Sequence, residues 1–135
     1  MVKKEFTFRG KTMEELVAMS EAQFAVIAGS RIKRSLLRGN YSKGFLGAIG
    51  SAFLQKQQGH EPKIIRTHLR DFPVLPKMVG LKFAVYNGKE FQVMSVMDKM
   101  LGHYLGEFVL TRKRLSHGKA GIGATKSSTA ITARG

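Results

Sequence analysis

The chain has 135 residues, 43% of them hydrophobic, and carries 23 Lys and Arg against 9 Asp and Glu, a formal net charge of +14. This length suits one domain with extensions and a core of ordinary size. The lack of cysteine excludes disulfides and thiolate metal sites and fits a reducing compartment. No apolar stretch approaches the roughly 20 residues that a membrane span requires.

The opening MVKKEFTFRG is charged and has no hydrophobic run of signal length. A soluble, cytoplasmic protein with no membrane partner is expected. The charge is clustered. Ala22 to His60 holds Arg31, Lys33, Arg34, Arg38, Lys43 and Lys56 with no acidic residue. Phe108 to Gly135 holds Arg112, Lys113, Arg114, Lys119, Lys126 and Arg134, again with no acidic residue. Such stretches repel themselves and call for a polyanionic partner. Nucleic acid fits best, because Lys and Arg displace the counterions condensed on phosphates.

In chain order, Glu5 to Arg9 reads as a strand or extended arm closed by Gly10. Thr12 with Glu15, and Ser20 with Gln23, each have capping-box spacing. They predict two short helices, one with Met13, Leu16 and Val17 inward, the next with Phe24, Ile27 and Ala28 inward. Arg31 to Arg38 predicts a third, with Ile32, Leu36 and Leu37 inward and Gly39-Asn40 ending it. Phe45, Ile49 and Phe53 recur at helical spacing. Gly44, Gly47 and Gly50 each weaken that helix by about 1 kcal/mol relative to Ala, so it needs a partner surface. The apolar character of Tyr41 to Leu54 suggests a protein surface rather than RNA. Gln55 to Pro62 is a polar link.

The second half changes character. Lys63 to Thr67 reads as a strand, and Phe72 to Pro76 as an extended connection because of its two prolines. Leu81 to Tyr86 and Glu90 to Val96 read as strands joined at Asn87-Gly88, a strong hairpin signal. A two-residue turn puts Leu81, Phe83 and Val85 on one face and Ala84, Tyr86, Phe91 and Val93 on the other. With apolar residues on both faces, either helices cover one side and RNA or protein the other, or a bulge shifts the register. Asp98 is expected to cap a short helix to Leu101. Glycine at 102 and 106 permits close approach to a strand or a phosphate. Beyond Leu110 the periodicity ends, and the Gly- and Ser/Thr-rich remainder reads as a flexible tail.

Catalytic chemistry finds little support. GIGATKSS (Gly121 to Ser128) has parts of a phosphate-binding loop, but no Gly precedes Lys126 and no strand and helix frame it. His60, His68, His103 and His117 are scattered, without an HExxH pair. No enzyme activity, metal or cofactor is expected. Glu15 and Asp98 read as caps and Glu107 as the partner of a nearby Arg. Arg66, His68 and Arg70 alternate, so in an extended segment they share one side and form a clamp for a phosphate backbone. Lys89 sits at the hairpin tip. His103 reads as RNA-facing, Leu105 and Phe108 as core, and Tyr104 as either. Arg112-Lys113-Arg114, with His117 and Lys119, forms a cationic run of the kind that orders on nucleic acid.

Four segments carry a family likeness: IRTHLRD (Ile65 to Asp71), LPKMVGLKFAVYNGKEF (Leu75 to Phe91), MLGHYLGEFVLTRKR (Met100 to Arg114) and HGKAGIGATKSS (His117 to Ser128). The chain resembles the universal small-subunit ribosomal protein S nineteen family in its archaeal and eukaryotic branch, with FTFRGKTMEELVAMS similar to the branch-specific extension. The resemblance implies an α+β core with a small three-stranded, mainly antiparallel sheet and short helices, preceded by a helical N-terminal extension and followed by a flexible basic tail. It implies residues 1–60 as extension, 61–112 as rRNA-binding core and 113–135 as tail. It further implies binding to rRNA in the head of the small subunit, a neighbour of the ribosomal protein S thirteen family, and a tail reaching toward tRNA. The family's RNA-facing motifs fall on Arg66, Thr67, His68, Arg70, Asn87, Lys89, Gly102, His103, Thr111, Arg112 and His117, with Lys119 and Lys126 extending contacts along the tail. The apolar Tyr41 to Leu54 segment and the terminus from Thr129 depart from the family pattern. A nucleic-acid-binding module outside the ribosome is the alternative reading.

Overall fold

The computed structural model describes residues 6–39, 41 and 43–116. It begins with a two-stranded hairpin, β1 (Thr7–Phe8) paired antiparallel with β2 (Lys11–Thr12). The expected arm is therefore one leg of a tight hairpin turned by Arg9-Gly10. Four helices follow: α1 (Met13–Ala18), α2 (Glu21–Ile27), α3 (Ser30–Arg38) and α4 (Lys43–Gln57).

The first two helices begin where local chemistry puts them. The Thr12 amide donates to the Glu15 carboxylate at 3.2 Å. The Ser20 amide donates to the Gln23 side chain at 2.9 Å, and the Gln23 amide donates back to the Ser20 hydroxyl at 3.3 Å. Each box satisfies amides that the first helical turn leaves unpaired. Ser20→Ala is expected to cost about 1 kcal/mol, read as a lower urea midpoint with an unchanged slope.

In α3, Ile32 is buried and Leu36 half-buried, but Leu37 is 64% exposed, contrary to its expected inward placement. At helical spacing Leu37 lies about 100° around the axis from Leu36, off the buried stripe. The partner surface that α4 requires is the protein's own core. Ile49 and Ala52 are buried, and the Phe45 ring meets Phe72 edge-on at 4.9 Å and Phe83 at 6.5 Å. This face is thus occupied internally, which corrects the expectation of an external protein surface along Phe45 and Ile49. The Lys56 ammonium anchors the far end of α4 by donating to the Val79 carbonyl at 3.1 Å.

The main sheet has the order β3-β4-β5, with β3 (Ile65–Thr67) parallel to β4 (Lys82–Tyr86) and β4 antiparallel to β5 (Phe91–Ser95). Parallel pairing requires a connection of about a dozen residues or more. His68 to Leu81 supplies it, running through buried Phe72, Pro73, Val74 and Leu75 to a 3-10 turn at Pro76–Met78. Two further 3-10 turns, Asp98–Met100 and Leu105–Glu107, follow β5. Asp98 is the first residue of its turn; Met97 holds the cap position, without a side-chain bond.

One hydrophobic cluster joins Leu16, Phe24, Ile32 and Ile49 to Phe72, Met78, Phe83, Val85, Leu105 and Val109. The helical segment before residue 60 and the sheet after it therefore share a single core.

Candidate nucleic-acid interface

Strand register divides the sheet into two faces. Ile65, Thr67, Phe83, Val85 and Met94 point to the core side, whereas Arg66, Lys82, Ala84, Tyr86, Phe91 and Val93 point away from it. The hairpin pairs Tyr86 with Phe91, so the loop spans Asn87 to Glu90 rather than the two residues expected. The cause is the Asn87 side chain. Its carbonyl oxygen accepts from the amides of Lys89 and Glu90, each at 2.9 Å, and the Asn87 amide donates to the Glu90 carbonyl at 3.0 Å. A two-residue change of register preserves the faces, because side chains alternate with period 2.

On the outer side, His68, Tyr86 and Phe91 form a ring cluster. The His68 and Tyr86 centroids lie 4.6 Å apart, His68 and Phe91 5.0 Å, and Tyr86 and Phe91 5.3 Å. The Arg66 guanidinium carbon lies 5.9 Å from the Phe91 ring centroid, within cation–π range. Lys82, further along β4, pairs with Glu61 at 2.5 Å. That hydrogen bond and the lysine charge hold the Glu61 carboxyl below its usual range.

Beside the hairpin lies a groove of about 840 Å³. Asn87 to Glu90 and Gln92 form one wall, and Leu110, Thr111, Arg112, Lys113 and Arg114 form the other. Lys89, Thr111, Arg112, Lys113 and Arg114 are all exposed. Within this cationic lining Glu90 is the acidic member.

Three of the expected RNA-facing residues are instead committed to the fold. Arg70 does not complete a clamp with Arg66 and His68. The chain leaves the strand after Thr67, and the Arg70 side chain turns inward. Its guanidinium donates to the carbonyls of Tyr86 at 2.7 Å and Gly106 at 2.8 Å, and also to that of Val109. Thr67 is 5% exposed, and its hydroxyl accepts from the Leu69 amide at 3.0 Å. Gly102 (φ +80°) packs closely on protein: a Cβ there would lie 3.2 Å from Cζ of Phe8. Gly106 makes the same kind of approach, since its Cβ would lie 2.9 Å from the Arg70 carbonyl oxygen. Gly106→Ala is expected to destabilise the fold by about 1–3 kcal/mol through overpacking, visible as a lower melting temperature.

His103 is exposed, and its Nδ1 lies 2.7 Å from the Glu107 carboxylate. Among the described residues Glu107 is therefore the partner of His103 rather than of an arginine, and it also accepts from the Tyr104 amide at 3.1 Å. Tyr104 is half-buried under the Arg31 guanidinium, whose carbon lies 5.0 Å from the ring centroid. Its hydroxyl is buried without a partner among the described residues. His117, Lys119 and Lys126, and the GIGATKSS segment, lie outside the described residues.

The ring cluster joining His68 to the hairpin is the feature that sequence reasoning missed. Tyr86 and Phe91 share a face in either register, but the parallel pairing that brings His68 beside them is a non-local contact. Among the described residues no group of His, Asp and Glu is arranged to hold a metal, and no helix is long and apolar enough to cross a membrane.

A small basic α+β fold with a cationic groove and a partly exposed ring cluster presents a surface suited to a polyanion, as in the class of nucleic-acid-binding proteins. The family model described as Ribosomal protein S19 matches residues 34–117. A small ribosomal subunit protein uS19 of Halobacterium salinarum is 48% identical over 124 residues, 92% of this chain and 88% of that protein. The chain belongs to the ribosomal protein S19 family, whose members are structural and non-catalytic.

Proposed function

We propose that the chain is an rRNA-binding constituent of the small ribosomal subunit, seated in the subunit head. The observation that carries this reading is the 48% identity to a small-subunit protein across 92% of the chain. The net charge of +14 and the groove between the hairpin loop and Leu110 to Arg114 support it physically. Phosphate contacts fix position, whereas shape and a few base contacts supply specificity. The exposed set that remains for such contacts is Arg66, His68, Lys89, His103, Thr111, Arg112, Lys113 and Arg114, with the half-buried Asn87 among them.

The reading extends to a neighbour of the ribosomal protein S thirteen family and to approach of the tail, residues 113–135, toward tRNA. Its support is the motif resemblance from Ile65 to Ser128 and the cationic residues His117, Lys119 and Lys126. Sedimentation of a cell extract containing the tagged chain tests the assignment. Co-migration with small subunits is expected. A chain that remains with free RNA-binding proteins at the top of the gradient would favour the non-ribosomal alternative.

A further inference from the structure

We infer that the ring cluster of His68, Tyr86 and Phe91 on the outer sheet face is a stacking site for an unpaired nucleobase. The inference rests on the RNA-binding reading and assigns one part of that surface a separate task. Phe24, Phe72 and Phe83 are essentially inaccessible, and the other phenylalanine and tyrosine rings outside the cluster are half-buried. By contrast Phe91 is 37% exposed and Val93, two residues along the same face, 55% exposed. Ala84, between Arg66 and Val93 in the register, is only 2% exposed, so the accessible part of this face is its larger side chains.

Charge and shape both favour a base over an apolar protein segment. Arg66 stands over Phe91, and Lys89 and the Arg112 to Arg114 run lie at the same hairpin. A backbone held by these cations carries its bases past the rings. Aromatic side chains on an open sheet receive unstacked bases because every base has a π-face. In a duplex those faces are covered by neighbouring pairs. The site therefore selects single-stranded or bulged nucleotides and is indifferent to base identity.

The test uses the full chain, a 12-nucleotide single-stranded RNA containing 2-aminopurine, and a 12-base-pair RNA duplex. Phe91→Leu, which keeps apolar volume and removes the ring, is expected to weaken single-strand binding about 5- to 100-fold. It should leave duplex affinity and the salt slope unchanged. Phe91→Trp should retain affinity and the 2-aminopurine quenching that reports stacking. Lys113→Ala should do the reverse, lowering the salt slope by about one while quenching at saturation persists. Unchanged single-strand binding by Phe91→Leu, with binding by the parent chain intact, overturns the stacking site alone and leaves a protein contact as the explanation of the exposed rings. A parent chain that binds neither RNA overturns the RNA-binding reading and this inference together.

Discussion

Replacing Arg70 by alanine is expected to destabilise the fold by about 3–5 kcal/mol, since hydrogen bonds to charged groups contribute about 1.5–3 kcal/mol each and do not add fully. Arg70 sits where β3 runs into the connection and donates to carbonyls from three places. Tyr86 ends β4, Gly106 lies in the last 3-10 turn, and Val109 follows it. One planar guanidinium thus joins the sheet to the closing segment of the domain. Alanine leaves all three carbonyls without that donor. Lysine does not rescue the site, because a single ammonium cannot reproduce the fork that reaches three acceptors. Urea unfolding of the parent, Arg70→Ala and Arg70→Lys chains measures this. A falling midpoint at constant slope is expected for both variants. A loss below about 1 kcal/mol, the size of a single neutral hydrogen bond, would mean that the fork is not a structural tie and would return Arg70 to the RNA-facing set.

RNA affinity is expected to fall by about 10³–10⁵ between 50 and 200 mM salt if roughly 6–10 phosphates are neutralised, on the duplex-DNA scale and somewhat less on single strands. The described exposed cations around the hairpin are Arg66, Lys89, Arg112, Lys113 and Arg114. They reach the lower end of that range only when further basic residues join them. The tail and the exposed Lys33, Arg34 and Arg38 of α3 are the sources at hand. A log–log plot of affinity against salt gives the number directly. Because Arg70 donates to three carbonyls and Lys82 is paired with Glu61, neither is counted among the phosphate ligands. A slope near zero would show that the positive charge meets no polyanion.

The parts of this account that were legible in the sequence are those fixed by neighbours along the chain. Thr12 with Glu15 and Ser20 with Gln23 announce helix starts because the bonds span three residues. Asn87-Gly88 announces a hairpin for the same reason, although the bonds accepted by the Asn87 side chain lengthen the loop. What failed depends on distant partners. Alternation placed Arg66, His68 and Arg70 on one side, but extended geometry ends at Thr67, and Arg70 finds its acceptors 16 to 39 residues away. The apolar face of α4 was visible, whereas its partner, the rings of Phe72 and Phe83, was not. Glycine at 102 and 106 correctly signalled close approach. Only the structure shows that Phe8 and the Arg70 backbone are what approaches.

The most direct test of the central reading is binding of the purified full chain to a transcript of the small-subunit head rRNA, compared at one salt concentration with a scrambled RNA of equal length. Clear preference for the head transcript is expected, because shape and unpaired bases add to a phosphate term that both RNAs share. Equal affinity for the two would contradict it, leaving a cationic protein that binds RNA without an address in the head.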